Sequence, residues 1–140
     1  MNFKPSLTLT HTAALAMLQA ATQKAEAISQ PQCIVIVDAS GELIAEIKMT
    51  GAKFLSRKSA SSKARTAASI CAPSANIPEA VRPAIAAATD GNVTGLAGGL
   101  PIIKDGMCVG AIGIGSGSPD QDLMVAIVAL EAVDAQIDFS

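Results

Sequence analysis

The sequence contains no tryptophan and no tyrosine, and its only aromatic rings are Phe3, Phe54 and Phe139. It therefore lacks the platforms on which bases stack. Positive charge is no more plentiful than negative: ten Lys and Arg against twelve Asp and Glu give a formal net charge of −2. With neither stacking rings nor a global positive field, the composition argues against nucleic-acid binding. Long apolar runs are missing too. The longest, Leu123–Leu130, has eight residues, far fewer than a bilayer crossing needs. The opening Met1–Ser6 lacks the apolar stretch of a signal peptide. Cysteine is confined to Cys33, Cys71 and Cys108, widely spaced and without a CxxC or CxxH pair, which argues against a disulfide framework and against structural zinc. Histidine occurs once, as His11, so a multi-histidine metal site is unavailable and at most one axial haem ligand of that type exists. These absences lead to the expectation of a cytoplasmic protein with no nucleic-acid or membrane partner.

What is present points to a packed domain. Half of the 140 residues are apolar and only 16% are charged, enough to bury a core within one domain spanning residues 1–140. Thr8 is a plausible N-cap for a helix over about 9–28, with Leu15, Leu18, Ala21, Ala25 and Ile28 as its buried stripe. Cys33–Val37 reads as a buried strand, followed by the turn Asp38-Ala39-Ser40-Gly41 and an alternating return strand, Glu42–Met49. An Ala- and Ser-rich helix is predicted from Ser56 to about Cys71, and the proline-containing stretch 73–92 is predicted as connection with a short helical patch at Ala84–Thr89. Asp105-Gly106 is the signature of a two-residue hairpin, with Met107–Ser116 as its second strand. Ser118-Pro119-Asp120-Gln121 combines an N-cap, a proline at the first helical position and a capping-box glutamine, opening a last helix. The order α-β-β-α-β-β-α gives an antiparallel sheet with helices packed on it, a two-layer α+β domain.

Four features bear on function. By strand alternation Val109, Ala111, Gly113, Gly115 and Gly117 fall on one face on and just after the strand Met107–Ser116, leaving it shaved for the close approach of either a helix or a flat ligand. The spacing fits neither a dinucleotide fingerprint nor a Walker loop. Between Glu46 and Glu79 no acid occurs, yet Lys48, Lys53, Arg57, Lys58, Lys63 and Arg65 do. Such a segment is either a solvated helix face or a seat for a small anion, which Arg and Lys hold through charge-assisted bonds. Asp120 and Asp122 are two apart on a helix and do not face each other, so helix capping is their first role. Leu123–Leu130 is apolar all round the last helix, so one side should meet the sheet and another a second subunit.

Five stretches in order carry a resemblance: Val35-Ile36-Val37-Asp38-x-x-Gly41, Lys63-Ala64-Arg65-Thr66-Ala67, Gly98-Gly99-x-Pro101-Ile102, Val109-Gly110-Ala111-Ile112-Gly113-Ile114, and Gln121-Asp122 with the apolar last helix. Together they resemble the GlcG/HbpS family, which includes the C-terminal domain of PduO-type proteins, over essentially the whole chain. The resemblance implies a profilin-like or PAS-like α+β domain, an antiparallel sheet flanked by helices, assembled into homo-oligomers. Some members bind haem; others accompany operons for glycolate or diol metabolism. Where members commonly carry an acidic pair after the first Thr-Leu, this chain has Thr10-His11.

Positions matching the family motifs are Lys63, Arg65, Thr66, Gly98, Gly99, Pro101 and Asp122, and these are expected to line or shape a ligand pocket. The leading expectation is a homo-oligomeric module that binds haem, a related tetrapyrrole or another small anion, accessory to a metabolic operon. The basic segment would meet the propionates, the glycine face would receive the ring, and His11, Thr66 or a methionine would approach the iron. The alternative is a cofactor-free isomerase, lyase or tautomerase acting on a small carboxylate. There Lys63 or Asp122 moves the proton and Arg65 anchors the substrate.

Overall fold

The computed structural model describes residues 2–140 and places the predicted elements in the predicted order. Helix α1 runs His11–Ala27, strand β1 Cys33–Asp38, strand β2 Leu43–Lys48 and helix α2 Leu55–Ile70. Two short 3-10 turns, Ser74–Asn76 and Glu79–Val81, lead into α3, Arg82–Ala88. Strands β3, Gly99–Lys104, and β4, Met107–Gly115, precede α4, Pro119–Ala132. The four strands pair antiparallel in the order β2-β1-β4-β3. Both hairpins are thus local, and the central β1–β4 pairing joins the two halves of the chain.

Helices cover both faces of the sheet, so the α+β domain has three layers and not the expected two. On one face, Ile34, Ile36, Leu100, Ile102, Ile112 and Ile114 pack under α1 and α4. On the other, Val35, Val37 and Ala111 meet Ala60, Ala64, Ala67 and Ala68 of α2. Strict alternation in β1 explains this division, since even-numbered residues face α1 and α4 and odd ones face α2. In β4 the alternation breaks at Val109, which joins the α1/α4 core. The β3 register steps from Ile102 opposite Gly110 to Ile103 opposite Cys108, so Val109 is the extra residue of a β-bulge and the strand changes face there.

Local chemistry sets the element ends. The cap of α1 is Thr10, whose hydroxyl accepts from Ala13 N at 3.1 Å, and not the expected Thr8. The buried stripe keeps Ala21 and Ala25, with Leu18 and Ile28 half-buried against the core, and adds Ala14 and Met17, whereas Leu15 is 60% exposed. The periodicity of α1 is ambiguous because nearly every residue in Ala13–Leu18 is apolar, so spacing alone does not select the face. The last helix starts as predicted. Ser118 Oγ accepts from Gln121 N, and the Gln121 side chain accepts from Ser118 N at 2.9 Å. Asp105 and Gly106 both have positive φ, 50° and 77°, the backbone of a type I′ turn that matches strand twist.

Candidate functional site

Helix α2 lies on the sheet main chain to main chain. A methyl group placed on Gly113 would overlap Ala60 O and come 2.7 Å from Ala64 N, and one on Gly99 would overlap Lys63 O. The glycine face therefore receives a helix. The expectation that it would accept a flat ring is corrected on steric grounds, because α2 already fills that space. Gly98, at φ 123°, brings its backbone against the Lys63 side chain, where a Cβ would lie 3.1 Å from Nζ.

This close approach carries Lys63 into the interior. Its Nζ donates to Ile114 O at 2.8 Å and to Asp122 Oδ2 at 3.1 Å, and the two side chains are only 7% and 2% exposed. Asp122 Oδ1 accepts from Gly117 N at 3.1 Å. Burial pushes the Asp122 carboxyl above its ordinary value of 3.8, and the attraction of Lys63 only partly offsets that. Beside the pair sits Gln32, fully buried, with neither amide atom hydrogen-bonded among the described residues. A Cβ on Gly117 would lie 2.6 Å from Gln32 Nε2 and 2.7 Å from Asp122 Oδ1, so the amide and the carboxylate meet over that glycine. The pair forms the floor of an open cleft of about 330 Å³ whose rim includes Lys53, Leu55, Ser59, Leu96 and Ser116. Chemically it holds one exposed cation, hydroxyls, and a buried ion pair able to pass a proton.

The other predicted site residues go elsewhere. Arg65 Nε donates to Gly41 O at 3.3 Å and Nη1 to Asn92 Oδ1 at 2.8 Å, strapping the β1–β2 turn to the loop after α3. Thr66 is completely buried, donating to Ser62 O at 2.7 Å and accepting from Thr94 N at 2.9 Å. Pro101 is buried in β3 opposite Ala111. Thr66 and Pro101 thus hold the scaffold around the cleft and do not line it, and Gly98 and Gly99 seat Lys63 through the backbone. His11 is exposed at the start of α1. The basic segment is divided as well: Arg57 is paired with Glu46 and Lys63 with Asp122.

A second cavity, of about 670 Å³, lies where the amino-terminal segment crosses the sheet's end. Leu7, Leu9 and Val109 give it an apolar wall, Lys4 and Asp38 its charges, and Met107, Cys71 and Cys108 its sulfurs. Burial and the adjacent Cys71 push the Cys108 thiol up to about 11. The sequence offered no pointer to this cavity, since Lys4, Asp38, Cys71 and Met107 are brought together only by the β1–β4 pairing and the end of α2. Gln32 and Ser116 were equally hidden, because neither belongs to a motif.

Residues 9–131 match the family model "Haem degrading protein HbpS-like". Among proteins, the chain is 29% identical to the corrinoid adenosyltransferase PduO of Citrobacter freundii over 95% of its own length but only 41% of that protein. It is 31% identical to a 15.0 kDa protein of the dhaT–dhaS intergenic region of the same organism, covering 89% of this chain and 91% of that one. It thus spans well under half of the PduO proteins and nearly all of the smaller relative. Among solved structures, the ORFY protein of Klebsiella pneumoniae superposes with a TM-score of 0.89 at 27% identity, covering 97% of this chain and 98% of that one. A PduOC–haem complex gives 0.86 at 26%, over 94% and 99%. HbpS of Streptomyces reticuli, as a double mutant, gives 0.83 at 29%, over 94% and 90%. With the α+β fold, the glycine-seated α2 and a match over 123 of 140 residues, the chain belongs to the HbpS-like family.

Proposed function

We propose that the chain binds a tetrapyrrole, haem first, as a homo-oligomer assembled through α4 and accessory to a metabolic operon. The observation that carries this reading is the amino-terminal cavity, in a chain sharing its fold with a protein solved in complex with haem. Its residues fit such a ligand: Leu7, Leu9 and Val109 cover an apolar ring, and Lys4 meets a propionate. Met107 in the wall and His11, two residues beyond Leu9, are the residues offered to the iron. Bound haem supplies a metal centre whose properties follow its axial ligand. The relative from the dhaT–dhaS intergenic region supports the accessory role.

Titration of the purified protein with hemin is expected to give a Soret band that saturates at one haem per chain. A band altered in His11→Ala assigns the iron to His11, and one altered in Met107→Leu assigns it to Met107. Unsaturating adsorption overturns the haem reading. The oligomer has its own test. Met124 is 43% exposed on α4, with Leu123, Ile127 and Val128 only half-buried around it. Met124→Glu should reduce the mass measured by light scattering to the 14.1 kDa monomer, and an unchanged mass overturns the α4 interface.

A second reading rests on the buried Lys63–Asp122 pair at the floor of the cleft. In it the chain is a cofactor-free isomerase, lyase or tautomerase of a small carboxylate. Lys53 attracts the anion at the rim, a role Arg65 was expected to fill, and Lys63 or Asp122 moves the proton. Exchange of a substrate's α-proton in D2O, followed by NMR and lost in Asp122→Asn, is its signature.

A further inference from the structure

Cys71 and Cys108 lie far apart in sequence, at the end of α2 and at the second residue of β4. Their Sγ atoms nevertheless converge on one acceptor, Ala68 O, at 3.7 Å and 3.9 Å. Cys71 is exposed and Cys108 half-buried, and both border the amino-terminal cavity. Cys33 is buried apart from them, its Sγ against Lys53 O. Packing has thus placed an accessible thiol beside a sheltered one. Among the described residues neither sulfur belongs to a cluster able to hold a metal ion, and the haem reading uses neither.

We infer that Cys71 and Cys108 form a reversible dithiol–disulfide couple, oxidised by a low-molecular-weight disulfide such as oxidised glutathione. The Cys71 thiolate attacks one sulfur of the reagent. The reagent's S–S bond breaks, one thiolate leaves and takes up a proton, and a mixed disulfide forms on Cys71. Cys108 loses its proton to water and attacks the Cys71 sulfur, expelling the second small thiol. Two protein thiols are oxidised and one reagent disulfide is reduced to two thiols, so electrons and protons balance. The division of labour follows access: the exposed thiol meets the reagent, and the sheltered one resolves the adduct from within. The bridge ties the end of α2 to β4 at the wall of the cavity.

The test uses the reduced, desalted full chain incubated with oxidised glutathione. Free thiols should fall from three to one and the intact mass should drop by two hydrogens. Trypsin cuts after Lys104, between the two cysteines, so the Cys71 and Cys108 peptides should appear linked until dithiothreitol is added. Cys33→Ser should lose the same two thiols, and Cys108→Ala should accumulate one glutathione on Cys71. A native chain that keeps a glutathione adduct, forms covalent dimers or links through Cys33 overturns the inference.

Discussion

Lys63→Met is expected to destabilise the protein by about 3–5 kcal/mol, because it strands the Asp122 carboxylate in the interior without its cation. Methionine keeps the length and apolar character of the lysine stem, so the loss reads the charge and not a cavity. Urea unfolding at neutral pH measures it. The pH dependence identifies the cause. The folded carboxyl already titrates above its ordinary value of 3.8 through burial, so its charged form disfavours folding and its contribution is most favourable at low pH. Stability tied to this group is therefore lost as pH rises through the folded value. Removing Lys63 takes away a contribution that held the value down, so the deficit of Lys63→Met should be largest at neutral pH and shrink as the medium is acidified below the raised value. Adding Asp122→Leu should recover most of the loss, since replacing a whole buried pair by apolar residues is often neutral. A deficit that is constant with pH would show that the ion pair is not its source.

Gly113→Ala is the second large effect, and its magnitude is out of proportion to one methyl group. The added carbon meets main-chain atoms of α2, Ala60 O and Ala64 N, which cannot rotate away as a side chain would. The helix must lift, opening Ala60, Ala64 and Ala67 to solvent. A cost of at least about 3 kcal/mol is expected, at the upper end of overpacking substitutions. Because α2 carries Lys63, the same change should also separate Lys63 from Asp122. Gly91→Ala is a fitting contrast. Its Cβ meets nothing within 4 Å and only a φ of 79° opposes it, so it should cost about 1 kcal/mol. Thermal unfolding of the two variants side by side decides the point, and equal losses would refute the main-chain contact.

The fold was legible wherever short-range chemistry decides. The Asp105-Gly106 turn, the Ser118 capping box and the β-branched run Ile34–Val37 each constrain the backbone locally, and the structure follows them. The α1 stripe was legible from Leu18 to Ile28 and failed at Leu15, since Ala13–Leu18 is apolar at every position and carries no phase. The site was legible in part. Lys63 and Asp122 were both singled out, but 59 residues separate them, and only the β4 crossing and the glycine-seated helix make them neighbours. Arg65 belongs to the same motif as Lys63 yet points elsewhere, because residues two apart on a helix diverge by about 200°. The thiol pair was invisible for a related reason, as two isolated cysteines give no sign of which carbonyl they will share.

The unequal packing of the two sheet faces sets what change the molecule tolerates. Beneath α1 and α4 the sheet presents Ile, Leu and Val branches to Ala, Met, Val and Leu side chains of the helices. A lost branch there can be compensated by a gained one nearby, so that layer is negotiable. Beneath α2, β3 and β4 make contact main chain on main chain at Gly99, Gly113 and Gly115, and only Val35 and Val37 of β1 offer branches to trim. At those glycines no exchange of volumes is open. Variation that alters what the protein binds must enter through the rims of its cavities and the outer helices, leaving the α2 seam as the fixed axis about which the rest is free to drift.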